Sequence, residues 1–271
     1  MDLILNEKIG FGRYPGFSLL FDNPSQNSFS SMGQQLVKIN CQVETDPRLI
    51  FYKCLKNGLN ELGLEELFAA YRFFALPSQS YHLTVCDGLN QENLDDQTKH
   101  LVPTDQLLLE EFLYGLPMTL CQSNPFTAVA MASPLIQSGW NITYEFDELT
   151  NWGGKVLVAR LKPKKGDPQS QKQFRRIKKV RDELYNQFED KFYPGADKKS
   201  AKPNKTDTKQ QRSYNPHISL GYFGNIQRGD AAQKRIDRWT EIFKKHTKNR
   251  TITFNKIGLY GFTDMATFFK Q

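Results

Sequence analysis

The sequence predicts an α+β fold with antiparallel sheets. Several short runs alternate apolar and polar residues, as half-buried strands do, and the segments between them repeat apolar residues at helical spacing. Strands and helices do not alternate regularly, and no glycine-rich nucleotide fingerprint follows a strand. A doubly wound parallel sheet is therefore not expected.

Local turn and capping signals define the predicted elements. Apolar residues at helical spacing from 47 to 75 predict two helices, divided at Gly58 and Gly63, and a later helix begins with Thr104 as its cap. The turn-prone sequence NWGG joins two alternating runs into a hairpin. The remaining predictions are strands at 14–24, 35–43, 79–88, 215–224 and 251–269, hairpin strands at 140–148 and 155–162, and helices at 170–192 and 230–245.

Composition predicts a globular, cytoplasmic protein. The 271 residues are 39% hydrophobic and 24% charged, with no apolar run long enough for a membrane span and no secretory leader at the start. The four cysteines include no Cys-x-x-Cys pair. We therefore expect reduced thiols, with neither a zinc site nor a redox dithiol.

Positive charge is concentrated in one segment. The net charge is +7, yet residues 160–212 contain 17 Lys or Arg against 7 Asp or Glu, and the rest of the chain is slightly acidic. Such a segment favours anionic partners, nucleic acid included, although a solvated helix face and loop would have the same composition. Residues 193–213, at the end of this segment, are poor in apolar residues and are predicted to form a flexible basic loop.

Two of the predicted strands contain the same polar pair. In SYHLTVCDG the pair is His82 and Thr84, and in NPHISLGYF it is His217 and Ser219. Because side chains alternate across a strand, each strand places an imidazole and a hydroxyl about 7 Å apart on one face. Imidazoles titrate near neutral pH, which suits general acid and base catalysis.

One such match carries little weight by itself. With four histidines in the chain, roughly 0.4 His-x-Ser/Thr matches are expected by chance. A single histidine of this kind is typical of an ordinary, hydrogen-bonded strand residue. The repetition of the pattern in two apolar strands, 135 positions apart, favours a shared site.

The paired motifs resemble the 2H phosphoesterase superfamily. That group includes cyclic nucleotide phosphodiesterases, RNA end-processing enzymes and 2′-5′ RNA ligase-like proteins. The stretches RYPGFSLLFD and LPSQSYHLTVCDG are most similar to a little-characterised branch of it. The resemblance extends from about Tyr14 to Phe262, and only the two motif strands are specific.

The resemblance implies a single bilobal domain over 1–271, with motif lobes at roughly 14–135 and 136–271 and outer helices around two antiparallel sheets. His82 and Thr84 would face His217 and Ser219 across a central cleft. One histidine would be the general base and the other the general acid, in an order that the motifs leave open. The two hydroxyls would bind nonbridging phosphate oxygens.

The expected activity is metal-independent hydrolysis of a nucleotide or RNA 2′,3′-cyclic phosphate, or of a 2′-5′ phosphodiester, without a cofactor. Two histidines that lack a further set of carboxylates or thiolates make a poor zinc site. Strand alternation places Phe223 on the His217 face, where it would stack on a base or ribose or pack at the rim. The basic segment before the second motif would form a flap that attracts a polyanion such as RNA.

Two other hypotheses stay open. The same cleft could bind nucleotides or RNA without turnover, with the histidines as phosphate donors. Alternatively, the histidines could be coincidental residues of a structural domain, in which case they would lie far apart. The sequence indicates no oligomeric state.

Overall fold

Two antiparallel sheets organise the protein in a computed structural model that describes residues 5–6, 10–33, 36–95, 101–122, 125–192 and 214–271. The α+β fold with antiparallel sheets is confirmed. In chain order the strands are β1 (Leu5–Asn6), β2 (Gly10–Phe11), β3 (Gly16–Phe21), β4 (Phe29–Gly33), β5 (Leu36–Ile39), β6 (Phe73–Ala75), β7 (Thr84–Asn90), β8 (Ile142–Trp152), β9 (Val156–Pro163), β10 (His217–Phe223), β11 (Thr251–Phe254), β12 (Ile257–Asp264) and β13 (Thr267–Lys270). The helices are α1 (Ile50–Leu62), α2 (Leu64–Tyr71), α3 (Pro103–Tyr114), α4 (Pro125–Ala132), α5 (Pro134–Gln137), α6 (Pro168–Phe192), α7 (Ile226–Gln233) and α8 (Ile236–Thr247).

The two motif strands belong to different sheets. Six strands form one sheet in the order β4-β5-β13-β12-β3-β7, and five form the other in the order β11-β8-β9-β10-β6. The first motif therefore leads into an edge strand, β7, whereas the second begins an inner strand, β10. Two short strands, β1 and β2, pair with each other in a separate antiparallel sheet.

The sheets do not follow the predicted lobe boundary at 135 and 136. Strands β12 and β13, from the end of the chain, join the six-stranded sheet beside β3. Strand β6, from the first half, pairs with β10 in the five-stranded sheet. Each sheet thus contains strands from both halves of the chain, so no single boundary in the sequence divides one sheet from the other.

One aromatic core joins the sheets. Phe21 of the six-stranded sheet lies 4.9 Å from Phe254 and 6.1 Å from Tyr144, measured between ring centroids, and both partners come from the five-stranded sheet. All three side chains are fully buried. Because aromatic side chains bury large apolar areas, this cluster holds the two sheets together.

Several element boundaries differ from the predictions. The first motif strand begins at Thr84, because Ser78–Ser80 forms a short 3-10 turn, and His82 lies between that turn and the strand. Gly63, with φ +79°, ends α1, whereas Gly58 stays inside it. A methyl group at Gly58 would lie 3.0 Å from the Phe243 ring. The close approach of that ring therefore explains why a glycine occurs inside the helix.

The later helices also differ. Helix α3 begins at Pro103 with Val102 at its N-cap, so Thr104 does not cap it. The single helix predicted at 230–245 is two helices, α7 and α8. The predicted basic loop at 193–213 lies outside the described residues. In the part of the chain that the structure describes, none of the helices combines the length and apolar character needed to cross a bilayer.

We expect Gly221→Ala to destabilise the fold. A Cβ at Gly221 would overlap the Phe73 ring and come 2.5 Å from the carbonyl oxygen of Phe74, so β6 would have to move away from β10. Overpacking of this kind costs about 1–3 kcal/mol, measurable by chemical denaturation. Gly139→Ala, where nothing lies within 4 Å of the added Cβ, is the matched control. Equal unfolding free energies for the two variants would contradict this packing.

Candidate active site

Both motif histidines are held by the same hydrogen bond. Nδ1 of His82 lies 2.8 Å from the carbonyl oxygen of Ser80, and Nδ1 of His217 lies 3.0 Å from that of Asn215. A carbonyl oxygen only accepts, so Nδ1 carries the proton in each ring. In the neutral imidazoles Nε2 is then the basic nitrogen, which can accept a proton from a reacting group.

An aromatic ring also lies against each imidazole. The ring centroids of His82 and Phe268 are 4.0 Å apart, and those of His217 and Trp152 are 4.1 Å apart. Phe268 comes from β13, within the sheet that contains β7, and Trp152 ends β8, within the sheet that contains β10. Each imidazole is thus fixed by one hydrogen bond and one ring contact, and both histidines stay half-buried.

Both motif strands contain a β-bulge three residues after the histidine. In β7, Thr84 pairs with Leu20 and Cys86 with Leu19, which leaves Val85 as the extra residue. In β10 the extra residue is Leu220, between the pairs Ser219–Val158 and Gly221–Leu157. A bulge shifts the side-chain alternation by one residue.

The bulges change which side chains share the histidine faces. By register, Asp87 returns to the Thr84 face and Tyr222 to the Ser219 face. Asp87 is exposed and Tyr222 half-buried. The prediction that Phe223 lines the site is wrong. It is fully buried and packs 5.3 Å from Phe73 between ring centroids, because the bulge turns it into the core.

Contacts from the second half of the chain hold the edge strand β7. Tyr214, three residues before His217, donates from its hydroxyl to the carbonyl oxygen of Thr84 at 3.3 Å. Nε of Arg181, in α6, donates to the carbonyl oxygen of Val85 at 2.5 Å. The guanidinium of Arg181 also lies 4.5 Å from the centroid of the Tyr214 ring. The first motif is therefore tied to the residues that lead into the second.

Burial and neighbouring charges set the protonation of the two imidazoles. Burial lowers the pKa of His82 to about 4, the Ser80 carbonyl opposes this, and the charge of His217 lowers it further. Burial also lowers the pKa of His217, against the effects of the Asn215 carbonyl and the Asp87 carboxylate, while Arg181 adds to the lowering. The two imidazoles thus interact in one site, and both are neutral at pH 7.

A charged row crosses the five-stranded sheet beside His217. Arg160 of β9 is the cross-strand partner of both His217 and Glu148, so the three side chains share one face. Nη1 of Arg160 lies 2.5 Å from Oε1 of Glu148. The Glu148 carboxylate fixes the Arg160 guanidinium on the His217 face and offsets the positive charge of that guanidinium.

Further contacts close one end of the site. Lys155, in the turn between β8 and β9, lies 3.6 Å from Glu92, which follows β7. The Tyr222 hydroxyl donates to Sδ of Met265 at 3.0 Å, and the Tyr222 ring lies 5.9 Å from that of Phe11, measured between centroids. These contacts link the β10 end of one sheet to the β12–β13 turn of the other.

No cluster of metal-ligating side chains occurs in the described ranges, where the search covered groups of three or more His, Cys, Asp or Glu. All four cysteines are free thiols, and burial raises the pKa of Cys86, close to the site, to about 11. The site's chemical groups are two imidazoles, two hydroxyls, a carboxylate and nearby guanidinium groups. This set can move protons and bind an anion.

The sequence pattern identified four residues of this site and missed the others. In the structure His82 and His217 interact electrostatically, and Tyr214, three residues before His217, binds the carbonyl oxygen of Thr84. Asp87 and Tyr222 escaped notice because a bulge cannot be read from alternation. Arg181 did leave a signal, since it lies in the apolar stripe of α6, four residues after Ile177.

We expect both histidines to titrate below the ordinary range, with the neutral rings protonated on Nδ1. Long-range ¹H–¹⁵N spectra of the imidazoles give the tautomer and the midpoint, which should be about 4 for His82. His217→Gln should raise the pKa of His82, because the repulsion between the two imidazolium charges disappears. His246→Gln, beside Glu61 on the surface, is the control. A His82 midpoint at 6.5, or a proton on Nε2, would contradict this geometry.

Comparisons with known proteins indicate the fold alone. No protein-family model matches the chain, and no curated protein sequence matches it. Among solved structures, the protein is similar to the crystal structure of a conserved protein of unknown function from Agrobacterium tumefaciens. The two share 14% sequence identity with a TM-score of 0.50, over 100% of this chain and 90% of the other. This likeness supports an α+β fold with two antiparallel sheets.

Proposed function

We propose that the protein is a metal-independent phosphodiesterase of the 2H type. Its substrate would be a nucleotide or RNA 2′,3′-cyclic phosphate, or a 2′-5′ phosphodiester. One observation carries the proposal: the two motifs are built alike around one site. Each has an imidazole bonded through Nδ1 to the carbonyl two residues earlier, a ring against that imidazole, and a bulge three residues after it.

The reaction needs one imidazole in each protonation state. The neutral imidazole accepts a proton from water through Nε2 while the water oxygen attacks phosphorus. The protonated imidazole gives its Nε2 proton to the ribose oxygen as the bond between that oxygen and phosphorus breaks. A phosphomonoester and a free hydroxyl result, and proton exchange with solvent returns both histidines to their starting states.

Neighbouring charges divide the two roles. Asp87 favours the protonated form of His217 and outweighs Arg181, which opposes it. Among the described residues no carboxylate acts on His82, and the charge of His217 disfavours its protonation. In the singly protonated pair these charges favour the proton on His217. We therefore assign His217 as the acid and His82 as the base.

The hydroxyls of Thr84 and Ser219 suit the phosphoryl group. Each lies two residues after its histidine on the same face, and both side chains are half-buried. Donors placed there can bind the nonbridging oxygens, on which negative charge accumulates during the displacement. The Ser219 side chain also hydrogen-bonds the phenol of Tyr222, which fixes its position at one end of the site.

The surface charge suits a polyanionic substrate. Helix α6 has no acidic residue between Pro168 and Arg181, and five of its basic side chains are exposed: Lys172, Arg175, Arg176, Lys178 and Lys179. Its inner face contacts the first motif through Arg181. Such a field raises the association rate of anions, RNA included, and weakens as salt increases.

We expect His82→Gln and His217→Gln each to reduce turnover by about 10²–10⁴-fold, since each removes one partner of the proton transfers. The measurement uses a panel of cyclic phosphates, cyclic dinucleotides and 2′-5′ oligonucleotides, with and without excess chelator. Chelator should have no effect, and His246→Gln should match the unmodified protein.

Retained turnover in either variant, or its loss with chelator alone, would contradict the proposal. Binding of these ligands without product would indicate a nucleotide- or RNA-recognition module instead.

The pH profile of kcat/KM should be bell-shaped, with its maximum below pH 6.5. Both histidines have pKa values lowered from 6.5 in the free protein, and that of His82 lies at about 4. Above both values the acid has lost its proton, so the rate falls about tenfold per pH unit. Below both values the base is protonated and the rate falls again. A maximum above pH 7 would contradict the half-buried, mutually repelling pair.

A further inference from the structure

A buried arginine lies where the two motifs meet. Arg181 is 5% exposed, and its guanidinium lies 4.5 Å from the centroid of the Tyr214 ring and 5.6 Å from that of Tyr185. It occupies the apolar stripe of α6, between Ile177 and Leu184, where aliphatic residues usually pack. A charge in that position requires a physical reason, because burial of an ion costs several kcal/mol.

The charge of Arg181 has no counter-ion among the described residues. Its Nε binds the carbonyl oxygen of Val85, whereas its Nη1 is buried without a hydrogen-bond partner. A neutral acceptor and aromatic faces offset only part of the cost of desolvation. The positive charge of Arg181 therefore still acts on His217, where the Asp87 carboxylate opposes it.

The partners of Arg181 belong to the machinery of both motifs. Val85 is the bulge residue of β7, next to Thr84. Tyr214 packs against the guanidinium and donates to the carbonyl oxygen of Thr84, and it lies three residues before His217. One guanidinium thus fixes the bulge of the first motif and the approach to the second.

We propose that Arg181 is a positioning residue of the candidate active site, which joins the two motifs through Val85 and Tyr214 and whose buried positive charge strengthens the binding of a phosphodiester anion. The catalytic part of this inference rests on the proposed function. The positional and electrostatic parts concern the protein itself and can be measured without a substrate.

The charge of Arg181 acts on His217 together with other groups. Those on the neighbouring elements are His82 before β7, Asp87 on β7 and Arg160 on β9, with Glu148 paired to Arg160. Removal of the Arg181 charge leaves these groups in place, so the pKa of His217 should rise. Lysine at this position keeps the charge but lacks the planar Nε donor that binds Val85.

The experiment compares Arg181→Met and Arg181→Lys with the exposed control Arg238→Met on α8. For each variant we would measure the His217 titration by NMR, the affinity for inorganic phosphate, and kcat and KM with the best substrate found. Arg181→Met should raise the His217 midpoint, weaken phosphate binding and reduce kcat, on the order of 10²-fold, because small misplacements of catalytic groups are costly. Arg181→Lys should keep the midpoint and phosphate affinity while kcat falls, and the control should change nothing.

An unchanged His217 midpoint and phosphate affinity in Arg181→Met would overturn the inference. So would full kcat in both Arg181 variants. If Arg181→Met does not fold, Arg181→Gln, an uncharged side chain that keeps a donor, decides the same point through the His217 midpoint. If the unmodified protein hydrolyses no substrate, the proposed function fails, and the titration and phosphate affinity still test the inference.

Discussion

The contact between the edge strand β7 and the second half of the chain is the interaction on which the site depends. The two histidines lead into strands of different sheets and are 135 positions apart in the sequence. The shared aromatic core brings the sheets together but does not set the fine position of an edge strand. The donors of Arg181 and Tyr214 do so, because they bind the carbonyl oxygens of Val85 and Thr84 directly beside the first motif. The same contact protects part of a sheet edge that could otherwise pair with another chain.

Burial sets the protonation of the two histidines, and this has two opposing effects on acid catalysis. It lowers the pKa of both histidines, so neither holds a proton firmly at neutral pH. Under the proposed function, a weakly held proton makes a strong general acid, but it also reduces the fraction of molecules in the active protonation state. The Asp87 carboxylate moderates this for His217 alone. A bound phosphodiester anion would raise both pKa values, so the complex would hold the acid proton at a higher pH than the free protein does.

Much of the site could be predicted from the sequence because its key pairs are local. His82 with Thr84, and His217 with Ser219, share a face over only three residues, which alternation alone specifies. The prediction failed at the next residues. A bulge depends on how one strand pairs with its neighbour, so neither Asp87 nor Phe223 could be placed on the correct face from the strand's own pattern. The pairing of β12 and β13 with β3 is equally non-local, and for that reason the lobes drawn on the sequence differ from the sheets.

The two motifs match in geometry and differ in charge. This difference makes the two histidines unequal in their tendency to hold a proton. Asp87 and Tyr222 occupy the same position, five residues after their histidines and just beyond a bulge, yet one is a carboxylate and the other a phenol. Burial raises the pKa of the Tyr222 phenol above its ordinary value, so this side chain is uncharged at neutral pH. A site with two identical halves would exchange acid and base roles freely. A single carboxylate favours one protonation state of the pair, so the proposed function implies that a substrate with a distinct leaving oxygen is cleaved in one orientation.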